Sequence, residues 1–127
     1  MKKMLVVALA LTFTASLAGV DHLDVIEISL KEGCTIKDYL AITKDFNDNW
    51  AKQYGYKAEL VVPIQSHKLD SFFWVGRSTD TATFGKAWDA WRDELGDPNS
   101  MASKLSARFG ECGTLHARRG HDAYSTD

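Results

Sequence analysis

The side chains with the most chemistry to offer are Glu27, His116 and Arg118. A carboxylate and an imidazole can pass a proton near neutral pH, and a planar guanidinium can hold an anionic substrate. All three lie in strand-like stretches. In Leu23 to Leu30, alternation sets Ile26, Ile28 and Leu30 on one face and Val25, Glu27 and Ser29 on the other. In Gly113 to Arg119, strict alternation sets Thr114, His116 and Arg118 on one face and Leu115, Ala117 and Arg119 on the other. Glu27 and His116 are therefore the catalytic candidates, and Arg118 is a ligand-binding one. The competing reading is a polar interface in which these groups satisfy one another or water. It is the preferred one, because buried polar groups are usually paired for structural reasons.

The four tryptophans suggest a platform for a flat ligand. Trp50, Trp88 and Trp91 recur at helical spacing with other apolar residues, which is the pattern of a core. Trp74 sits in the strand-like run Phe72-Phe73-Trp74-Val75 and is the expected cavity wall. No CxxC or HxxxH spacing, HExxH, GxSxG or phosphate-binding glycine loop is present, so neither a metal nor a cofactor is expected. His67 reads as a solvated loop histidine. A Cu(II) site at Val20-Asp21-His22 would need processing after Gly19, whereas the small residues favour Ala18.

Those small residues belong to a secretory signal. Met1 to Met4 is a short basic n-region, Leu5 to Phe13 an apolar h-region, and Ser16-Leu17-Ala18 the processing site. The apolar run is too short to anchor in a bilayer, so no membrane association is expected after cleavage. The expected location is the periplasm or the exterior. Of 127 residues, 109 would remain, carrying 13 basic and 17 acidic side chains for a net charge of −4. That suits one domain over residues 19–119 with a flexible tail at 120–127, and gives no electrostatic reason to expect nucleic acid. In an oxidising compartment the two cysteines, Cys34 and Cys112, are expected to form one disulfide.

The remaining elements follow from periodicity. Thr35, with Asp38 three residues on, opens a helix carrying Tyr39, Ile42, Phe46, Trp50 and Tyr54 on one stripe and stopped by Gly55. Lys57 to Ile64 and Asp70 to Gly76 read as strands. The four bulky residues of the latter imply burial on both faces. Ser78 to Thr81 caps a second helix bearing Phe84, Ala87, Trp88, Trp91 and Leu95. Asp97-Pro98 restarts the helical pattern through Met101, Leu105 and Phe109.

The order β-α-β-β-α-(α)-β, the aromatic third strand and the segment Thr83-Phe84-Gly85-Lys86-Ala87-Trp88-Asp89-Ala90-Trp91 together resemble the ferredoxin-like domains of the dimeric α/β-barrel superfamily over residues 23–119. The resemblance implies an α+β fold: an antiparallel sheet with helices on one face and a second subunit on the other, hence a homodimer. It implies that Ile26, Ile28 and Leu30 face the helices, and that Glu27, Ser29, His116 and Arg118 face the barrel. It places the first and last strands side by side, bringing Cys34 and Cys112 within disulfide range. Some relatives cleave haem or oxidise aromatic polyketides without a metal, but the first strand has no Asn and the second helix no His for a haem ligand. The expected function is an exported small domain that binds an apolar or aromatic molecule or a protein partner. The alternative is a cofactor-independent oxygenase or isomerase.

Overall fold

A computed structural model describes residues 19–126. The signal segment at 1–18 lies outside the described residues. Strand β1 (Asp21–Leu30) is followed by helix α1 (Ile36–Asn49), strands β2 (Tyr56–Val61) and β3 (Phe72–Ser78), helices α2 (Thr81–Glu94) and α3 (Met101–Cys112), and strand β4 (Gly113–Ala123). The strands form one antiparallel sheet in the order β2-β3-β1-β4. The helices pack on one face only, so the fold is ferredoxin-like, as the sequence pattern implies.

Local chemistry explains the element ends. Thr35 caps α1 reciprocally: its hydroxyl accepts from Asp38 N at 3.2 Å, and the Asp38 carboxylate accepts from Thr35 N at 2.9 Å. The helix is shorter than its apolar stripe suggests. Trp50 leaves helical geometry at φ −131°, a 3-10 turn covers Ala51–Tyr54, and Gly55 closes it at φ +66°. Helix α3 is capped by Ser100 instead of Asp97. Its hydroxyl accepts from Ser103 N at 3.1 Å while donating to the Glu94 carbonyl at 2.7 Å, tying the start of α3 to the end of α2.

Strands β2 and β3 are shifted from their expected ranges, because pairing runs from Tyr56 opposite Ser78 to Val61 opposite Phe73. Pro63 consequently falls in the connection and not in the ladder. β4 continues through Ala123, four residues into the expected tail, because β1 starts at Asp21 and pairs Asp21 with Ala123. Cys34 and Cys112 are joined, with Cα atoms 5.4 Å apart. The bridge clamps the end of β1 to the start of β4, beside a hydrogen bond from Lys31 N to the Cys112 carbonyl at 3.0 Å.

The core lies between the sheet and the helices and is built from rings. Phe46 of α1 sits 5.0–6.0 Å from the rings of Trp50, Tyr56, Trp74, Trp91 and Phe109. Most of these contacts are edge-to-face, the arrangement aromatic quadrupoles prefer. In β3, Phe72 and Trp74 are buried toward the helices, while Phe73 and Val75 are only half-buried on the opposite, open face.

Candidate functional site

Helix α2 stands slightly off the sheet. Of its apolar stripe only Ala87 is fully buried, while Phe84, Trp88 and Trp91 are half-buried. The space beneath is a cavity of about 250 Å³ bounded by the sheet, α1, α2 and α3. Its walls are largely aromatic: Phe46, Tyr56, Trp74, Trp88 and Trp91 all face it. Trp74 is one of the cavity walls. Trp50, Trp88 and Trp91, expected as plain core, line the same space.

One polar cluster interrupts the apolar wall. Asp24, 2 % exposed, projects from β1 on the same face as Ile26 and Ile28. Its carboxylate accepts from Arg118 Nε at 2.8 Å, from Arg118 Nη2 at 2.5 Å and from the Tyr56 hydroxyl at 2.9 Å. Trp74 Nε1 donates to the Tyr56 oxygen at 2.7 Å. The Arg118 guanidinium lies over the Trp88 ring, 4.1 Å from its centroid. Two of its five N–H donors are committed to Asp24, and the rest of the fork remains at the cavity edge. Burial requires such pairing, since a carboxylate left alone here would be strongly destabilising.

Gly76 makes the cluster possible. A Cβ at that position would lie 1.6 Å from the Tyr56 oxygen, so the tyrosine ring occupies the space a side chain would fill.

Arg118 therefore faces the helices, not the barrel side where strict alternation placed it. Glu27 pairs with Ala117 but Ile28 with Leu115, which leaves His116 as an extra residue in β4. This β-bulge reverses the parity of the strand beyond it. His116 remains on the open face, sharing a 2.6 Å hydrogen bond with Ser29. Glu27 is on that face too, accepting from Lys68 at 2.6 Å and Ser71 at 3.1 Å. Those two bonds hold its carboxyl below the usual carboxylate range. The structure thus separates Glu27 and His116 from Arg118 and from the cavity. His22 lies against Phe84, the two ring centroids 4.3 Å apart and the planes tilted by 31°. No group of three or more potential metal ligands occurs among the described residues.

Asp24 and Tyr56 were not singled out by sequence reasoning, although the signal for Asp24 was present. Extending the Ile26/Ile28 alternation two residues back puts a carboxylate on the core face, where it must have a cation or donor.

Burial pushes Tyr39 up to about 12, and burial reinforced by the Asp24 charge pushes Tyr56 higher still. A raised folded-state value stabilises the protein below the unfolded tyrosine value and ceases to do so as pH climbs through the folded one. Stability is therefore expected to fall from about pH 10 upward. Of the four tyrosines, Tyr39 and Tyr56 should stay unionised at about pH 11 until the protein unfolds, as read by absorbance at ~295 nm. Full ionisation of all four in protein that circular dichroism shows to be folded would contradict this.

No family model matches the chain, and no curated protein matches it in sequence. Solved structures do match in fold. SnoaB, a cofactor-independent oxygenase from Streptomyces nogalater, superposes with a TM-score of 0.54 at 12 % identity, over 84 % of this chain and 96 % of that one. A conserved protein of unknown function from Bacteroides thetaiotaomicron, described as a possible oxidoreductase, superposes with a TM-score of 0.51 at 10 % identity, over 84 % and 99 %. The chain has a ferredoxin-like fold, its four-stranded antiparallel sheet ordered β2-β3-β1-β4 with the helices on one face. At these identities the likeness is one of architecture, and function must be argued from the site.

Proposed function

We propose that the protein is an exported binder of a small, flat aromatic molecule, held in the aromatic cavity with a hydrogen-bond acceptor turned to Arg118. The observation that carries this reading is the cavity of about 250 Å³ walled by tryptophan, tyrosine and phenylalanine around a single polar cluster. A largely apolar pocket with a few placed donors is what small-molecule recognition needs. Export is supported by the basic and apolar character of residues 1–18 and by the disulfide, which persists in oxidising compartments.

A homodimer through the open sheet face is part of the same proposal. Val25, Phe73 and Val75 are half-buried and Val61 is 48 % exposed on that face, a run of apolar surface that a second sheet would cover. The alternative, a cofactor-independent oxygenase or isomerase, draws on the activity of the Streptomyces neighbour. Binding is preferred because the Asp24 carboxylate is fully engaged as counter-ion to Arg118, and Glu27 and His116 lie across the sheet from the cavity.

Native mass spectrometry of protein purified from its own compartment is expected to show a dimer with retained small-molecule mass. In parallel, 2-naphthoic acid should quench tryptophan fluorescence saturably. Ala87→Phe, which grows into the cavity from α2, should weaken that binding on the order of tenfold or more. A bare monomer, no saturable quenching, or quenching indifferent to Ala87→Phe would overturn the proposal.

A further inference from the structure

Two residues in the cavity wall carry hydroxyls that no described residue engages. Tyr39 of α1 lines the cavity and is only 2 % exposed. Tyr56, the other tyrosine there, both donates and accepts a side-chain hydrogen bond. The Tyr39 hydroxyl does neither among the described residues, and burial is all that raises its pKa. Ser106 of α3 lines the same cavity, half-buried, and its hydroxyl also makes no hydrogen bond among the described residues. A serine inside a helix can return its hydroxyl to the carbonyl four residues back, but Ser106 keeps its own free. A hydroxyl set in an apolar wall without a partner is unfavourable, so two on one wall mark a place for a polar group of the ligand.

Both belong to one end of the cavity. The Tyr39 ring lies 5.3 Å from that of Phe109, and Phe109 follows Ser106 by three residues on the same face of α3. Tyr39 also packs against the start of β4, where a Cβ on Gly113 would lie 2.7 Å from its Cε2. Gly113 pairs with Leu30 and Arg118 with Ile26, so this end stands four residues of β1 from the Arg118 row, about 13 Å. Between the two rows Ile28 pairs with Leu115, and both line the cavity. One continuous space therefore runs from the Asp24–Arg118 cluster to Tyr39 and Ser106.

We propose that Tyr39 and Ser106 form a hydroxyl-recognising subsite at the end of the cavity remote from Arg118. This rests on the cavity being a ligand site. Tyrosine and serine hydroxyls each donate and accept, so a ligand hydroxyl can accept from one and donate to the other. A charged group fits less well, because Ile28, Phe109 and Leu115 at that end are apolar and give a charge no partner. The ligand is therefore a hydroxylated aromatic, with its acceptor at Arg118 and a neutral hydroxyl at the opposite end of its rings.

The test compares 2-naphthoic acid with 6-hydroxy-2-naphthoic acid, whose hydroxyl and carboxylate stand at opposite ends of the rings. Affinities for each are read from tryptophan quenching. Wild-type protein should prefer the hydroxylated probe by about tenfold, the scale of one or two well-made hydrogen bonds. Within Tyr39→Phe, and separately within Ser106→Ala, that ratio should fall toward unity. Each substitution removes one oxygen and keeps the rest of the wall, and the ratio is internal to each protein, so a change in overall stability does not mimic it. Tyr39→Phe should leave the melting temperature unchanged or slightly higher, because the hydroxyl it removes holds nothing in the protein. A clear drop there, equal binding of both probes by the wild type, or a preference that survives either substitution overturns the subsite and leaves the cavity reading standing. Failure of both probes to bind overturns both.

Discussion

Gly76→Ala is expected to be among the most damaging single-atom additions available to this protein. The new Cβ would lie 1.6 Å from the Tyr56 oxygen and 2.0 Å from Cζ. These atoms belong to a buried ring and not to a flexible tip, so the tyrosine must leave its place. Its departure breaks the bond to Asp24 and the bond from Trp74 together. Overpacking costs about 1–3 kcal/mol and a buried acceptor losing its partner about 1–3 kcal/mol more. Against a total stability of about 5–15 kcal/mol, such a loss is large. It should lower the melting temperature by roughly 4–8 °C per kcal/mol. The decisive control is the Tyr56→Ala background, which removes the ring. There the same Gly76→Ala change should cost little, because a strand-interior glycine is itself unfavourable. Equal cost in both backgrounds would show that the clash with Tyr56 is not the cause.

The second large effect is loss of the disulfide. Cys34 and Cys112 are 78 positions apart, so the bridge restricts most of the domain in its unfolded state. The chain-entropy model assigns such a loop roughly 4 kcal/mol, an upper figure. Reduction, or the double substitution Cys34→Ala with Cys112→Ala, is expected to shift the urea midpoint strongly downward while the circular dichroism of the folded state is retained in water. The bridge also ends two elements: it follows β1 and closes α3 against β4. Local fraying there should appear first as loss of amide protection at Leu30 and Gly113, which face each other in the sheet. A midpoint displaced by less than the scatter between preparations would show that the sheet closes without the bridge.

Much of the architecture is legible in short-range pattern. The Ile26/Ile28 alternation in β1, the Thr35–Asp38 cap and the two aromatic helix stripes each depend on residues a few positions apart, and all three stand in the structure. The placement of the cysteines at the ends of neighbouring strands is legible by another route: it is what the family resemblance implies once the element order is known. The site was less legible. Trp88 sits at core spacing, and nothing in its neighbours along the chain says that α2 stands off the sheet. Tyr56 reaches Asp24 across an intervening strand, through a space left by Gly76. That arrangement joins three strands and has no signature in any one of them.

Arg118 shows where the boundary falls. Its type marked it as a ligand-binding residue, and it lines the cavity. Its side of the sheet was decided by one extra residue, His116, in the pairing of β4 with β1. Side-chain parity has a period of two, so a single unpaired residue moves every later side chain to the other face. The sequence by itself determined the kinds of element, their order along the chain, and the carboxylate and guanidinium available to meet. Only the tertiary structure decided that Asp24 and Arg118 meet over Trp88 beside a cavity while Glu27 and His116 face away from it. Cross-strand register is set by the fit of the whole sheet and not by any local run of residues.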